Sequence, residues 1–216
     1  MKKFFTATLL IALSWTAFSQ TTNDPAAKAI LDGVSAKFKT FKSVKASFAY
    51  KAENAAGKQL AAKSGTLLMK GTKYRVSFGG QEIFCNGATV WNYDKAANEV
   101  TISNLDASSG MITPQKLFTN FYDKDFLYML NGEKKVGNKV VQEIEMTPVD
   151  KSKPFHKVYL LIDKANKSIY STKVLEKAGN RYSYTVSSMN TSTVIADTEF
   201  SFDKKKYPGV EEVDLR

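Results

Sequence analysis

The sequence predicts an α+β domain: a curled, mostly antiparallel sheet with helices covering an apolar concave face. Three observations carry this reading. Near residue 42 the apolar residues change from the four-residue step of a helix to two-residue alternation, and most of the remaining chain stays strand-like. Tight Gly- and Asn-containing turns join these runs and leave no room for crossover helices, so neighbouring strands pair antiparallel. About ten strands tend to curl, and a long meander cannot bury its apolar face without a cover.

Met1-Lys2-Lys3 is a short positive start, Phe4 to Phe18 is mostly apolar, and Ala17-Phe18-Ser19 places small residues where a signal peptidase reads. Residues 1–19 therefore read as a secretory signal peptide cleaved after Ser19, too short in its apolar core to remain as a membrane span. No Cys follows the cleavage site for lipid attachment, so residues 20–216 are expected as one exported, soluble domain. Asn23-Asp24-Pro25 is a capped helix start, and Ile30, Val34 and Phe38 form an apolar stripe reaching about Phe41. Val44, Ala46, Phe48 and Tyr50 then alternate with polar or small residues. Strands follow at Ser64–Lys70, Tyr74–Phe78, Ile83–Cys85, Val90–Tyr93 and Val100–Ser103, with Asn86-Gly87 the clearest hairpin signal. Thr113-Pro114 starts a second helix carrying Leu117, Phe118 and Phe121. Its apolar content continues through Phe126, Leu127 and Leu130 until Asn131-Gly132 stops it. Strands resume at Lys139–Met146, Lys157–Ile162, Ser168–Leu175, Arg181–Met189 and Thr198–Phe202. The space between the helices and the sheet is either packed solid or left open for a ligand. Fourteen Phe, ten Tyr and six Met supply deformable apolar surface suited to acyl chains.

The formal charge of +10 falls to +8 once Lys2 and Lys3 leave with the signal peptide. The lysines are scattered and no nucleic-acid signature appears, so the basic balance suits anionic envelope surfaces better than nucleic acid. Cys85 is the one cysteine and His156 the one histidine, which argues against a disulfide, a zinc site or a His-dependent triad. No carboxylate pair stands out by spacing. The expectation is a binding protein without catalysis or cofactor.

The run Gln81-Glu82-Ile83-Phe84-Cys85-Asn86-Gly87-Ala88-Thr89-Val90-Trp91-Asn92-Tyr93-Asp94 resembles the strand, Gly turn and Trp-x-Tyr strand of the periplasmic outer-membrane lipoprotein carrier proteins, the LolA family. Val44-Lys45-Ala46-Ser47-Phe48, Ser64-Gly65-Thr66-Leu67, Lys73-Tyr74-Arg75-Val76, Tyr182-Ser183-Tyr184 and Phe200-Ser201-Phe202 extend the resemblance over essentially all of residues 20–216. It implies a half-open antiparallel barrel with helices as a lid over a cavity for the acyl chains of lipoproteins. The implied partners are acylated lipoproteins, an ATP-driven inner-membrane transporter that releases them and an outer-membrane acceptor, with the carrier itself a monomer. The implied lining comprises Ile30, Val34, Phe38, Phe48, Leu67, Met69, Tyr74, Val76, Phe78, Ile83, Leu117, Phe118 and Phe121. Trp91 belongs either to that lining or to the packing of the sheet, and Tyr74 falls at the cavity mouth. Some family members latch the lid with an Arg in the turn after the second strand, where this chain has Gly71-Thr72. An envelope-stress sensor or a structural envelope protein of the same fold is the alternative.

Overall fold

The computed structural model describes residues 23–105 and 122–216. The expected leader and the expected helix from Thr113, with Leu117, Phe118 and Phe121, lie outside the described residues. Helix α1 spans Pro25–Lys39, with Asp24 Oδ1 accepting the Ala26 N–H at 2.8 Å and Pro25 in the first turn. The Thr40 hydroxyl donates to the Lys37 carbonyl at 2.7 Å and ends it two residues short of Phe41.

The strands are β1 Val44–Glu53, β2 Gln59–Lys70, β3 Lys73–Phe78, β4 Gln81–Cys85, β5 Thr89–Asp94 and β6 Glu99–Asn104. After a short helix α2, Tyr122–Asp125, come β7 Phe126–Val136, β8 Lys139–Pro148, β9 Phe155–Asp163, β10 Ser168–Glu176 and β11 Arg181–Asn190. The chain ends with β12, Glu211–Asp214. All pair in one curled, unclosed sheet of order β12-β6-β5-β4-β3-β2-β1-β11-β10-β9-β8-β7. Every pairing is antiparallel except β12 on β6, which is parallel.

Two expectations are corrected. Phe126–Leu130 is not the tail of a helix but the start of β7. Phe126, Tyr128 and Leu130 point inward at a period of two, and Gly132 is the site of a register shift within the strand, not a stop. Thr198–Phe202 is not a strand. Asp197–Phe200 forms a 3-10 turn that buries Phe200 and presents Asp197 to Lys70 and Lys73.

Strand alternation separates an inner face, under α1, from an outer face. On the inner face Ala27, Leu31 and Val34 pack on Tyr128, Ile144, Met146, Leu160 and Ile162 of β7–β9. At the C-terminal end of α1, Phe38 in its last turn and Phe41 just beyond it pack on Val44, Ala46, Met69, Tyr74, Cys85 and Val90 of β1–β5. Each fully buried side chain of this size contributes about 1.5–3 kcal/mol. A third core lies on the outer face, where Phe202, Tyr207 and Val210 cover Trp91, Tyr93 and Val100. Arg75, 4.6 Å above the Phe84 ring, pairs with Glu82 and Glu199, both at 2.7 Å, and ties this C-terminal segment down.

Candidate functional site

The two inner cores are separate, and the strand between them is β11. Its inner-facing residues Tyr182, Tyr184 and Val186 oppose Ala52, Tyr50 and Phe48 of β1, with Met189 opposite Ala46 after a bulge. All four are at least partly exposed, and Tyr184 is 39% exposed. Five rings gather at one end of this track. Tyr50 lies 4.9 Å from Phe78, 5.2 Å from Tyr184 and 6.2 Å from Tyr182, and Phe48 touches Phe78 and Tyr184. Gly65 makes room for them: a Cβ there would come within 2.4 Å of the Phe48 ring.

At the other end of β11 is a half-open cavity of about 340 Å³, bounded by Phe41, Ile169, Val186 and Met189 and by the polar Lys37, Asn166 and Ser188. Its walls mix polar and apolar groups, and the more apolar surface is the aromatic group farther along the same strand.

Helix α1 roofs this face and is held by polar contacts at both ends. The Tyr122 hydroxyl donates to Asp32 Oδ1 at 2.7 Å, and Lys28 bridges Asp32 at 3.0 Å and Asp123 at 3.5 Å. Burial, then Asp32, pushes the Tyr122 phenol above its ordinary pKa, so it stays a donor. At the C-terminal end Lys37 donates to the Asn166 carbonyl in the β9–β10 turn. Below that turn Asp163 is 4% exposed. Burial alone would raise its carboxyl, but Lys139 and the Asn166 side-chain and backbone N–H groups outweigh it and hold it at about 2.

The β2–β3 turn at Gly71-Thr72 contributes no cation to α1. The lysines flanking it, Lys70 and Lys73, both bind Asp197, at 2.8 and 2.7 Å. Of the residues singled out in the sequence, Ile30 and Val34 join the β7–β10 core, while Phe38, Leu67, Met69, Tyr74, Val76 and Ile83 join the β1–β5 core. Phe48 and Phe78 belong to the aromatic group. Trp91 does neither. It is one residue out of phase with Val90 and packs on the outer face beneath the C-terminal segment. Tyr74 is not at an open mouth but 5% exposed, its hydroxyl against Cys85, and burial raises its pKa to about 12. Tyr182, Tyr184, Val186 and Met189 are missing from the predicted lining, although the Tyr-x-Tyr-x-Val alternation marks one face of a strand. Among the described residues, no group of His, Cys, Asp and Glu could hold a metal ion.

A helix laid across the inner face of an unclosed antiparallel sheet, above an apolar track, defines the lipoprotein-carrier-like fold. The chain belongs to the family described as outer membrane lipoprotein carrier protein LolA, whose model matches residues 39–203. No curated protein matches it in sequence. Among solved structures it is similar to an uncharacterized conserved protein from Thermus thermophilus, with TM-score 0.58 and 15% identity over 88% of this chain and 99% of that one. It is also similar to the Mycobacterium tuberculosis lipoprotein LppX, with TM-score 0.51 and 14% identity over 80% of this chain and 99% of that one. At these identities the likeness shows the fold alone.

Proposed function

We propose that the protein is a periplasmic carrier that shields the acyl chains of lipoproteins on the inner face and shuttles them from the inner to the outer membrane. The observation that carries this reading is the exposed aromatic track along β11, between two packed cores, in a chain of this family. Export would use residues 1–19, with cleavage after Ser19. An ATP-driven inner-membrane transporter would load the carrier and an outer-membrane acceptor would unload it.

The chemistry asked of the site is modest. Acyl chains hidden from water gain about 0.8 kcal/mol per buried CH₂. Phe48, Tyr50, Phe78 and Tyr184 supply contact without directional bonds to the chains, so cargo is retained yet can slide out. Opening requires α1 to lift at its C-terminal end. There it is tied by Lys37 to the β9–β10 turn instead of by a cation at Gly71. Ile30, Val34, Phe38, Leu67, Met69, Val76 and Ile83 would be uncovered as it moves. No step requires a catalytic group.

Displacement of an apolar fluorescent probe tests this. Acylated lipoprotein should displace the probe at one-to-one stoichiometry, and the same lipoprotein without its acyl chains should not. Mass spectrometry of the protein purified from the envelope should find acylated lipoprotein with it. A protein that binds no probe, or that responds equally to both lipoprotein forms, is not an acyl carrier.

A further inference from the structure

The two ends of the strands differ in charge. Where α1 stops, three segments surround the cavity mouth: residues 37–42, 133–139 around the β7–β8 turn and 163–168 in the β9–β10 turn. Together they hold eight lysines and two carboxylates, Glu133 and Asp163. At the opposite end the segments 53–58, 94–98, 149–154 and 176–180 hold five lysines and four carboxylates. The excess positive charge is therefore gathered at the mouth.

That charge is compensated only in part, and Lys134 pairs with Glu143 outside these segments. Glu133 is engaged by Lys164 at 2.8 Å, and Asp163 by Lys139. Lys42, Lys135 and Lys167 are exposed and pair with no carboxylate among the described residues. Bare apolar side chains stand among them. Val194 is 98% exposed beside Ser43, whose hydroxyl donates to the Thr193 carbonyl, and Val140, paired with Lys135 across β7 and β8, is 38% exposed. Lysines spread over three turns, with isolated apolar tips between them, suit a laterally extended anionic surface with a hydrocarbon layer beneath. Spread over three segments, they give no single focus for an acidic peptide.

We propose that this end is a docking surface for a membrane of anionic phospholipid, placing the cavity mouth against the bilayer. The inference goes beyond the carrier reading, since such docking needs no cargo on the inner face. Protein purified after export is sedimented with phosphatidylethanolamine vesicles containing phosphatidylglycerol, and with vesicles of phosphatidylcholine alone. It should bind the first and not the second, and binding should fall as salt shortens the Debye length. Each lysine near such a surface is worth about fivefold in affinity, so replacing Lys42, Lys135 and Lys167 together by Ser should weaken binding on the order of a hundredfold. Val194→Ser should weaken it further at unchanged charge. Replacing Lys58, Lys95 and Lys151 at the opposite end should leave it unchanged. Equal binding to both vesicle types, or equal loss in the two triple variants, would overturn the proposal. The mouth variant should keep its circular dichroism and its affinity for the apolar probe, which separates loss of docking from misfolding and from failure as a carrier.

Discussion

Asp163 is almost fully buried yet stays ionised, because Lys139 and Asn166 occupy the positions water would otherwise take. Its carboxyl is lowered from 3.8 to about 2, so its contribution to stability is present above pH 3.8 and lost as pH falls through about 2. In Asp163→Asn that acid-linked loss should vanish: urea midpoints at neutral pH fall, but the slope between pH 4 and pH 2 flattens relative to wild type. Parallel profiles would mean that the Lys139 contact carries no linkage. Gly65 acts through space rather than charge. In Gly65→Ala the new methyl would force the Phe48 ring out of its seat and into the β11 track. Because the colliding atoms are the far end of a side chain, the fold should survive, with Tm lowered by about 3 °C. Affinity for an apolar probe should fall several-fold; unchanged affinity would place the ligand away from Phe48. Tyr74 is the contrasting case. A charge there would sit unpaired in the β1–β5 core at a cost of several kcal/mol, so any transfer defect in Tyr74→Asp would report unfolding. Tyr74→Phe, which loses only the hydroxyl facing Cys85, is the informative change.

Helix α1 shows how an element can be legible locally while its setting is not. The Asp24 cap is a local feature and appears where the sequence places it, whereas the stripe read as Ile30, Val34 and Phe38 is shifted: Ala27, Leu31 and Val34 are buried, Ile30 packs only partly against them and Phe38 joins the other core. The second bond of Asp24 is long-range: Oδ2 accepts the Leu130 N–H at 2.9 Å, while Asn23 Oδ1 accepts that of Tyr128 at 3.0 Å. These bonds satisfy the upper edge of β7, so the start of the helix also protects a strand end that would otherwise be open. Asp24→Ala should therefore lose a cap and an edge contact together. We expect Tm to fall by about 3–6 °C, with hydrogen exchange at Leu130 accelerating alongside that at Ala26. Acceleration at Ala26 alone would show the two contacts to be independent. The same long-range pairing explains why local pattern misassigns the start of β7. Phe126, Leu127 and Leu130 suit either period, and only pairing with β8 selects the strand and turns Asn131-Gly132 into an irregularity within it. Trp91 is illegible for a related reason. Alternation shows that it opposes Val90 in direction, but which face the C-terminal segment covers depends on Phe202 and Tyr207, over a hundred residues away. The strands and turns of β1–β6 and β8–β11 are thus readable from local pattern, whereas the start of β7, the C-terminal segment with β12, the face assignments and the β11 lining require the strand order.

At the scale of the whole molecule the sheet remains open, with β7 at one edge and β12 at the other, and its inner face carries two cores instead of one. A continuous core would be more stable but would leave nothing to bind. The division falls on β11, the central strand that joins the meander β1–β6 to the sheet β7–β10, so the two halves meet where side-chain packing is thinnest. A ligand lying along β11 would bridge both halves and act as the missing part of the core. Binding to the folded state alone then stabilises by about 2.7 kcal/mol at a hundred times Kd. For a chain of this size that raises Tm by about 5–10 °C. The rise should come with a sharper transition, because two cores that can loosen separately become one cooperative unit. Differential scanning calorimetry with a single-chain acyl ligand measures both quantities. A rise in Tm with unchanged width would place the ligand within one half. No rise at saturating ligand would mean that the β11 seam is not the binding track.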